Sequence, residues 1–366
     1  MHEHQENFID WLIETTSQLD VELVVIAGDV FDRSIPPQES VVLFERAIIE
    51  LSALCSVYVV PGNHDSAVRL GYGGKFFAAN GVHIQSTLEG IGTPLELTAG
   101  DGTELVVYGI PYLHPDLHSA SLGVERSHTA VLNSAMDRIR ADLEGRHSVR
   151  SIAVSHAFVT GGAGSDSERD LEIGGIGDAP SHVYSGVDYV AMGHLHGAQV
   201  IKSESGIIRY SGSPLPYSFS EEKHIKSVTL IDVPSSGEIT YEEIPIPQAA
   251  PLVTLRGTLD YFESAAELDE HLNSWIRFQI TDTRRPENAM QRLAQRFNHV
   301  MHLDFDPEGS TNNHSVQPVR LDPQKTPPLE LATAFISYVT GDAALESEVE
   351  VLRESIENIN AQAHTS

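Results

Sequence analysis

Four times along this 366-residue chain an apolar run ends in Asp, Asn or His. The first is Val24-Val25-Ile26-Ala27-Gly28-Asp29-Val30-Phe31-Asp32. The second is Val57-Tyr58-Val59-Val60-Pro61-Gly62-Asn63-His64-Asp65, the third Ile152-Ala153-Val154-Ser155-His156, and the fourth Tyr189-Val190-Ala191-Met192-Gly193-His194-Leu195-His196. Continuous apolar runs of this length read as strands of a parallel sheet buried on both faces. In open α/β sheets ligands bind outside the C-terminal ends of the strands. Four such ends brought together would line one pocket with carboxylate, amide and imidazole groups.

Between the motifs the chain alternates. The spacing predicts a helix over 4–19, a strand over 21–27, and a helix opened by Ser34 ahead of Pro36-Pro37 and carried by Val41, Phe44, Ile48 and Leu51. The strand 56–60 completes a βαβ unit. Residues 66–79 read as weak helix broken by Gly71, Gly73 and Gly74. Strands over 82–85 and 104–109, a helix over 127–143 and a strand over 150–155 follow. The Gly-, Ser- and Asp-rich stretch 161–185 reads as a long loop over the pocket. Beyond His196 the pattern becomes antiparallel, with a hairpin at 227–233 and 239–244. Pro245, Pro247 and Pro251 mark a linker. Residues 251–306 then form a separate small α+β pattern: strand 252–256, helix 262–273, strand 275–281, helix 286–297, strand 299–305. Residues 306–328 are polar and Pro-rich. The tail resumes as helix, with Leu345, Val349, Leu352, Ile356 and Ile359 in a narrow stripe suited to another helix. These boundaries divide the chain into 1–247, 251–306 and 327–366.

The chemistry follows from donor type. A binuclear hydrolytic site needs a carboxylate that bridges two cations, and Asp29 stands where a glycine admits close approach. Asn63 offers a neutral oxygen, while His156 and His194 offer ring nitrogens. His196, two residues on along an extended segment, points the same way as His194 and can serve the neighbouring metal. Oxygen and nitrogen donors without thiolate suit Mn²⁺, Fe²⁺ or Zn²⁺. His64 beside Asn63 is the candidate general acid or phosphoryl-charge stabiliser, with Asp32 placed to orient it. His2, His4, His114, His118, His128, His147 and His182 lack such context and read as surface or loop histidines.

Bulk properties narrow the class. No apolar stretch reaches the roughly 20 residues needed to cross a bilayer. The start, Met1-His2-Glu3-His4, lacks the basic and apolar regions of a signal peptide. The single Cys55 reads as a buried thiol suited to a reducing cytoplasm. A formal charge of −29 opposes unaided binding to nucleic acid, unless metals or a basic partner offset it.

The order GDxxD at 28–32, GNHD at 62–65, the His156 strand and GHLH at 193–196 resembles the calcineurin-like metallophosphoesterase superfamily. The fold so implied is α/β: a β-sandwich flanked by helices, with a small α+β capping domain and C-terminal helices. More narrowly, Ser211-Gly212-Ser213-Pro214-Leu215, Tyr217-Ser218-Phe219-Ser220-Glu221 and the 165–175 loop with Glu168-Arg169 are similar to the SbcD-type nuclease subunits. The resemblance implies that Asp29 bridges two Mn²⁺ ions, that Asn63, His156 and His194 hold one, and that His196 helps hold the other. It implies His64 as the catalytic histidine, supported by Asp32. It further implies DNA as substrate, cleaved as double-strand exonuclease and single-strand or hairpin endonuclease, an SbcC-type SMC-like ATPase docked on the tail, and a homodimer within a heterotetramer. The family opens with a strand and an Asp-x-His turn that supplies two more ligands to the metal sharing His196. That segment is not found ahead of the first helix here; a start assigned late or a fragment is the expected cause, and a chain truly lacking it is expected to keep one intact metal site, one crippled site and little or no nuclease activity. Another phosphoesterase, such as a protein phosphatase or cyclic-nucleotide phosphodiesterase, is the rival reading. A scaffold with impaired catalysis is the other.

Overall fold

A computed structural model describes residues 2–168, 178–248, 250–307, 326–340 and 344–363, with the side chains of 338–340 and 357–363 outside the description. Two compact units divide the chain. The first comprises Met1–Leu255, Ala265–Phe278 and Met290–Leu303; the second comprises Arg256–Ser264, Gln279–Ala289 and Asp304–Ser366.

The first unit is built on two sheets. Helix α1 (His2–Gln18) leads into β1 (Leu23–Ala27), α2 (Gln38–Ser52) and β2 (Ser56–Val60). Short helices α3 (Ala67–Leu70) and α4 (Gly74–Ala78) precede β3 (Val82–Ile84). These strands form a three-stranded sheet in the order β1-β2-β3, parallel throughout. Strands β4 (Leu95–Thr98) and β5 (Glu104–Ile110) begin the second sheet. After α5 (Pro115–Leu122) and α6 (His128–Leu143) come β6 (Arg150–His156), β7 (Tyr189–Gly193), β8 (Gln199–Ile201) and β9 (Ile207–Tyr210). The order is β4-β5-β6-β7-β9-β8, with β5, β6, β7 and β9 parallel. An antiparallel hairpin, β10 (Ser227–Asp232) and β11 (Thr240–Pro245), follows.

Side-chain alternation sorts the strands' apolar residues into three layers. Val24 and Ile26 of β1 with Val57 and Val59 of β2 meet Leu12 and Ile13 of α1 and Phe44, Ile48 and Leu51 of α2. The opposite faces, with Val25, Ala27, Tyr58 and Val60, meet Val107, Ile152, Val154 and Tyr189 of the second sheet, and Ile231 and Ile239 close that layer. The far face of the second sheet, with Tyr108, Ala153, Val190, Met192 and Ile208, packs on Val131, Leu132, Ala135, Met136 and Ile139 of α6. The result is a helix–sheet–sheet–helix sandwich, the α/β class expected.

Several details differ from the expectations drawn from sequence. Strand β1 is only half-buried along its length, because it is the edge of its sheet among the described strands. Ser34 does not cap α2; the helix begins after Pro37, which has no side-chain acceptor to offer. Cys55 is half-buried, its thiol over the Leu51 carbonyl. His128 is buried, 4% exposed, at the start of α6 with Tyr112 above it, so it is no surface histidine. The 161–185 loop is described only in part; residues 169–177 lie outside the described residues, as do 308–325 of the polar segment.

Strands β12 (Leu252–Gly257), β13 (Trp275–Ile280) and β14 (His299–Phe305) form a further sheet in the order β12-β13-β14. The helix expected over 262–273 is instead α7 (Leu259–Ser264) and a 3-10 turn at Ala266–His271, parted by extended backbone at Ala265. The helix expected over 286–297 contracts to α8 (Ala289–Leu293). In the second unit Leu259 and Phe262 are buried, and Arg256 pairs with Asp306 at 3.1 Å. Its last helices are α9 (Pro328–Thr340) and α10 (Glu346–Ala363). No helix among the described residues is long and apolar enough to cross a membrane.

Candidate metal centre

The ends of β1, β2, β6 and β7 meet. At β1 the chain leaves Ala27 through Gly28 at φ 88° and Asp29 at φ 49°. Such backbone is costly for a non-glycine residue and concentrates at functional sites. Gly28 has a second reason: a Cβ there would lie 2.2 Å from His156 Nδ1. Gly62 likewise leaves room for the Asp29 carboxylate, whose Oδ1 would sit 2.1 Å from a Cβ. His194, at the end of β7, is also held at positive φ, 107°.

Asp65 locks the first two ends together. Its carboxylate accepts from the backbone N–H groups of Val30 at 3.1 Å, Phe31 at 3.0 Å and Gly62 at 2.8 Å. Asp29 Oδ1 in turn accepts from the His64 N–H at 3.0 Å. Asp65 belongs to the GNHD motif, but the motif alone assigns it no task. A carboxylate three residues after the Gly of a turn that follows a strand is the signal for a bond back to that turn.

Asp29, His156 and His194 offer ligand atoms that all lie within 4.8 Å of one another. Asn63 joins them: its Oδ1 is 2.8 Å from His156 Nε2, and Asp29 Oδ2 lies 3.3 Å from the same nitrogen. His156 Nδ1 donates to the Ala27 carbonyl at 2.9 Å, which leaves Nε2 facing the cluster. That outer hydrogen bond is the usual way a ligating imidazole is aimed. Three buried or half-buried donors of mixed oxygen and nitrogen type, with an amide oxygen beside them, fit a divalent transition metal.

The protonation pattern fits the same purpose. Burial works against the Asp29 charge, but the His156 imidazole and the His64 backbone outweigh it and lower the carboxyl to about 2. Burial also pulls His156 toward neutrality; Asp29 prevails and holds its pKa above the ordinary value. His194 has burial and then the His156 charge against its protonation, and falls to about 3. It is therefore a neutral donor at any physiological pH.

The other expected residues stand apart from this cluster. His64 is mostly covered, with Nε2 3.9 Å from Asp29 Oδ2. Its Nδ1 lies 2.8 Å from the main-chain carbonyl of Asp32, whereas the Asp32 carboxylate is 4.0 Å away, largely exposed, and paired with Arg33. His64 is thus oriented by Asp32 through its backbone. His196 is outside the three-residue group. Its Nδ1 contacts Ser167 Oγ at 2.7 Å and Glu221 Oε1 at 3.1 Å.

Residues 1–198 match the family described as calcineurin-like phosphoesterase. Three curated relatives are named as the D component of the nuclease SbcCD. That of Staphylococcus epidermidis is 28% identical, over 77% of this chain and 74% of the relative. That of Bacillus subtilis is 32% identical over 75% and 73%, and that of Escherichia coli K12 31% identical over 76% and 72%.

Proposed function

We propose that this chain, which belongs to the calcineurin-like phosphoesterase family and within it to the SbcD-type nuclease subunits, cleaves DNA phosphodiester bonds as one half of an SbcCD-type complex. That family membership makes it a metal-dependent hydrolase. The finer reading is a double-strand exonuclease and single-strand or hairpin endonuclease, using Mn²⁺, in cytoplasmic DNA repair, recombination and replication. The observation that carries the reading is the meeting of Asp29, Asn63, His156 and His194 at four strand ends.

In this reading Asn63, His156 and His194 would hold one cation, Asp29 would be shared with a second, and His196 would serve that second one. Bound metal would supply an activated water and would neutralise the phosphoryl oxygens. The chain's own residues do the rest. Asp65 keeps the two motif turns in register, so that the Asp29 carboxylate and the Asn63 amide face the same point. His64 is anchored at Nδ1 by the Asp32 carbonyl, and Nε2 is left to approach the phosphoryl group or protonate the departing alkoxide. Residues 1–247 would form the phosphoesterase domain, 251–306 a cap over DNA, and 327–366 the segment that docks on the ATPase.

The test is Mn²⁺-dependent cleavage of a DNA hairpin by the full chain with its SbcC-type partner and ATP. Substituting His64→Ala should lower the rate by about 10²–10⁴ while Mn²⁺ binding persists. Equal rates would remove His64 from the mechanism. Hydrolysis of a small phosphodiester with no response to the ATPase would favour another phosphoesterase.

A further inference from the structure

A second polar assembly lies behind His196. Glu221 and Lys226 are withdrawn from solvent, their side chains 0% and 2% exposed, and Lys226 Nζ meets Glu221 Oε2 at 2.5 Å. An ion pair this deep is a poor way to gain stability, since apolar side chains of similar volume often do as well or better. Its hydrogen bonds converge on one residue. Lys226 Nζ also donates to the His196 carbonyl at 3.0 Å and to Ser213 Oγ at 2.8 Å. Glu168 Oε1 accepts from the His196 N–H at 2.6 Å. Glu221 Oε1 and Ser167 Oγ face His196 Nδ1. The backbone N–H, the carbonyl and one ring nitrogen of His196 are therefore all held by side chains.

The direction of each proton can be worked out. Ionised Glu221 has no hydrogen to give. The Ser167 hydroxyl donates to Glu221 Oε1, so its oxygen can only accept from His196. Both groups at Nδ1 are then acceptors, and Nδ1 must carry the ring proton. The other tautomer would set a nitrogen lone pair 3.1 Å from a carboxylate oxygen. Lys226 keeps Glu221 charged, and the Ser213 hydroxyl, which donates to the Leu215 carbonyl at 2.8 Å, leaves its oxygen free to accept from Lys226.

We infer that Glu221, seated by Lys226, is the positioning residue of His196: it fixes the Nδ1–H tautomer and leaves Nε2 as the ring's one donor atom toward a metal. The inference deepens the proposed function and rests on it for the identity of what Nε2 meets.

Two measurements test it. Long-range ¹H–¹⁵N correlation spectra of the histidine-labelled full chain, metal-free at pH 7.5, with His196 assigned by comparison with His196→Gln, read the tautomer directly. Wild type should show Nδ1–H. Glu221→Gln can present an amide N–H to the ring and should move His196 toward Nε2–H. Glu221→Gln with Lys226→Gln should do the same without stranding a buried charge. Mn²⁺ titration of the same proteins should show the double variant weakened about 10- to 100-fold at the ion His196 serves, with the other ion unaffected. An Nε2–H ring in wild type, or a tautomer and affinity indifferent to Glu221, overturns the inference. Wild type that binds no Mn²⁺ overturns the proposed function instead, and the tautomer spectra alone then decide the role of Glu221.

Discussion

At the scale of single residues, the His156 imidazole must lose a proton before Nε2 can take a cation. Asp29 resists that loss, because it holds the His156 pKa above its ordinary value. The sign is fixed: the protonated ring is favoured as pH falls, so metal binding should weaken toward acid and strengthen toward base until the raised pKa is passed. Calorimetric Mn²⁺ titration between pH 6 and 9 should show affinity dropping roughly tenfold per pH unit on the acid side. A flat profile would mean that His156 is not a ligand. His194 adds no such dependence in this range, because burial already keeps it neutral. The candidate ligands were legible as residue types at strand ends. The Asp32 carbonyl was not, since a sequence names side chains and says nothing of which backbone atom a turn presents. Glu221 and His196 meet 25 residues apart, and no local spacing announces such a pair.

At the scale of elements, Asp65 joins the turn after β1 to the turn after β2 by three backbone hydrogen bonds. Replacing Asp65 by Ala strands three N–H groups, that of buried Gly62 and those of half-buried Val30 and Phe31. The expected loss is about 3 kcal/mol, read as a lower urea midpoint with an unchanged m-value. A shift under about 0.5 kcal/mol would show that the turns hold themselves. Element boundaries were legible where an apolar run stops at Gly or Pro. Strand β2 at Ser56–Val60 and strand β14 at His299–Phe305 begin and end where the pattern does. They were not legible where pairing alone makes a strand. Leu95–Thr98 and Gln199–Ile201 are short edge strands, each paired antiparallel with the strand that follows it and too short for an apolar run to mark it. The helix expected over 262–273 failed for another reason. Its apolar residues Phe262 and Leu268 are both buried, but from two short turns rather than one helical face.

At the scale of the whole molecule, the chain carries −29 formal charges and also exposes a cluster of large apolar side chains. Val68, Tyr72 and Phe76 are 86%, 85% and 74% exposed on α3, α4 and the turn between them. Ile35 is exposed as well, and Arg69 of α3 donates to the carbonyl of its neighbour Ser34 at 2.6 Å. Exposed apolar surface marks interaction sites, and a homodimer is the assembly that the resemblance to the SbcD-type subunits implies. Light scattering should find the full chain dimeric, and Tyr72→Glu with Phe76→Glu should shift it to monomer while the circular dichroism spectrum is retained. A monomeric wild type would remove the dimer from the account. The charge was legible from composition; the apolar cluster was not, because Val68 and Phe76 look like core residues until the short helices turn them outward.

The central claim is that Asp29, Asn63, His156 and His194 hold a divalent metal. The most direct measurement is Mn²⁺ bound per chain, by electron paramagnetic resonance, for wild type and for Asp29→Asn, His156→Asn and His194→Asn with folding checked in each. The account predicts that wild type binds Mn²⁺ and that each substitution weakens binding by at least about 10-fold. Wild type without Mn²⁺, or variants that bind it undiminished, would contradict it.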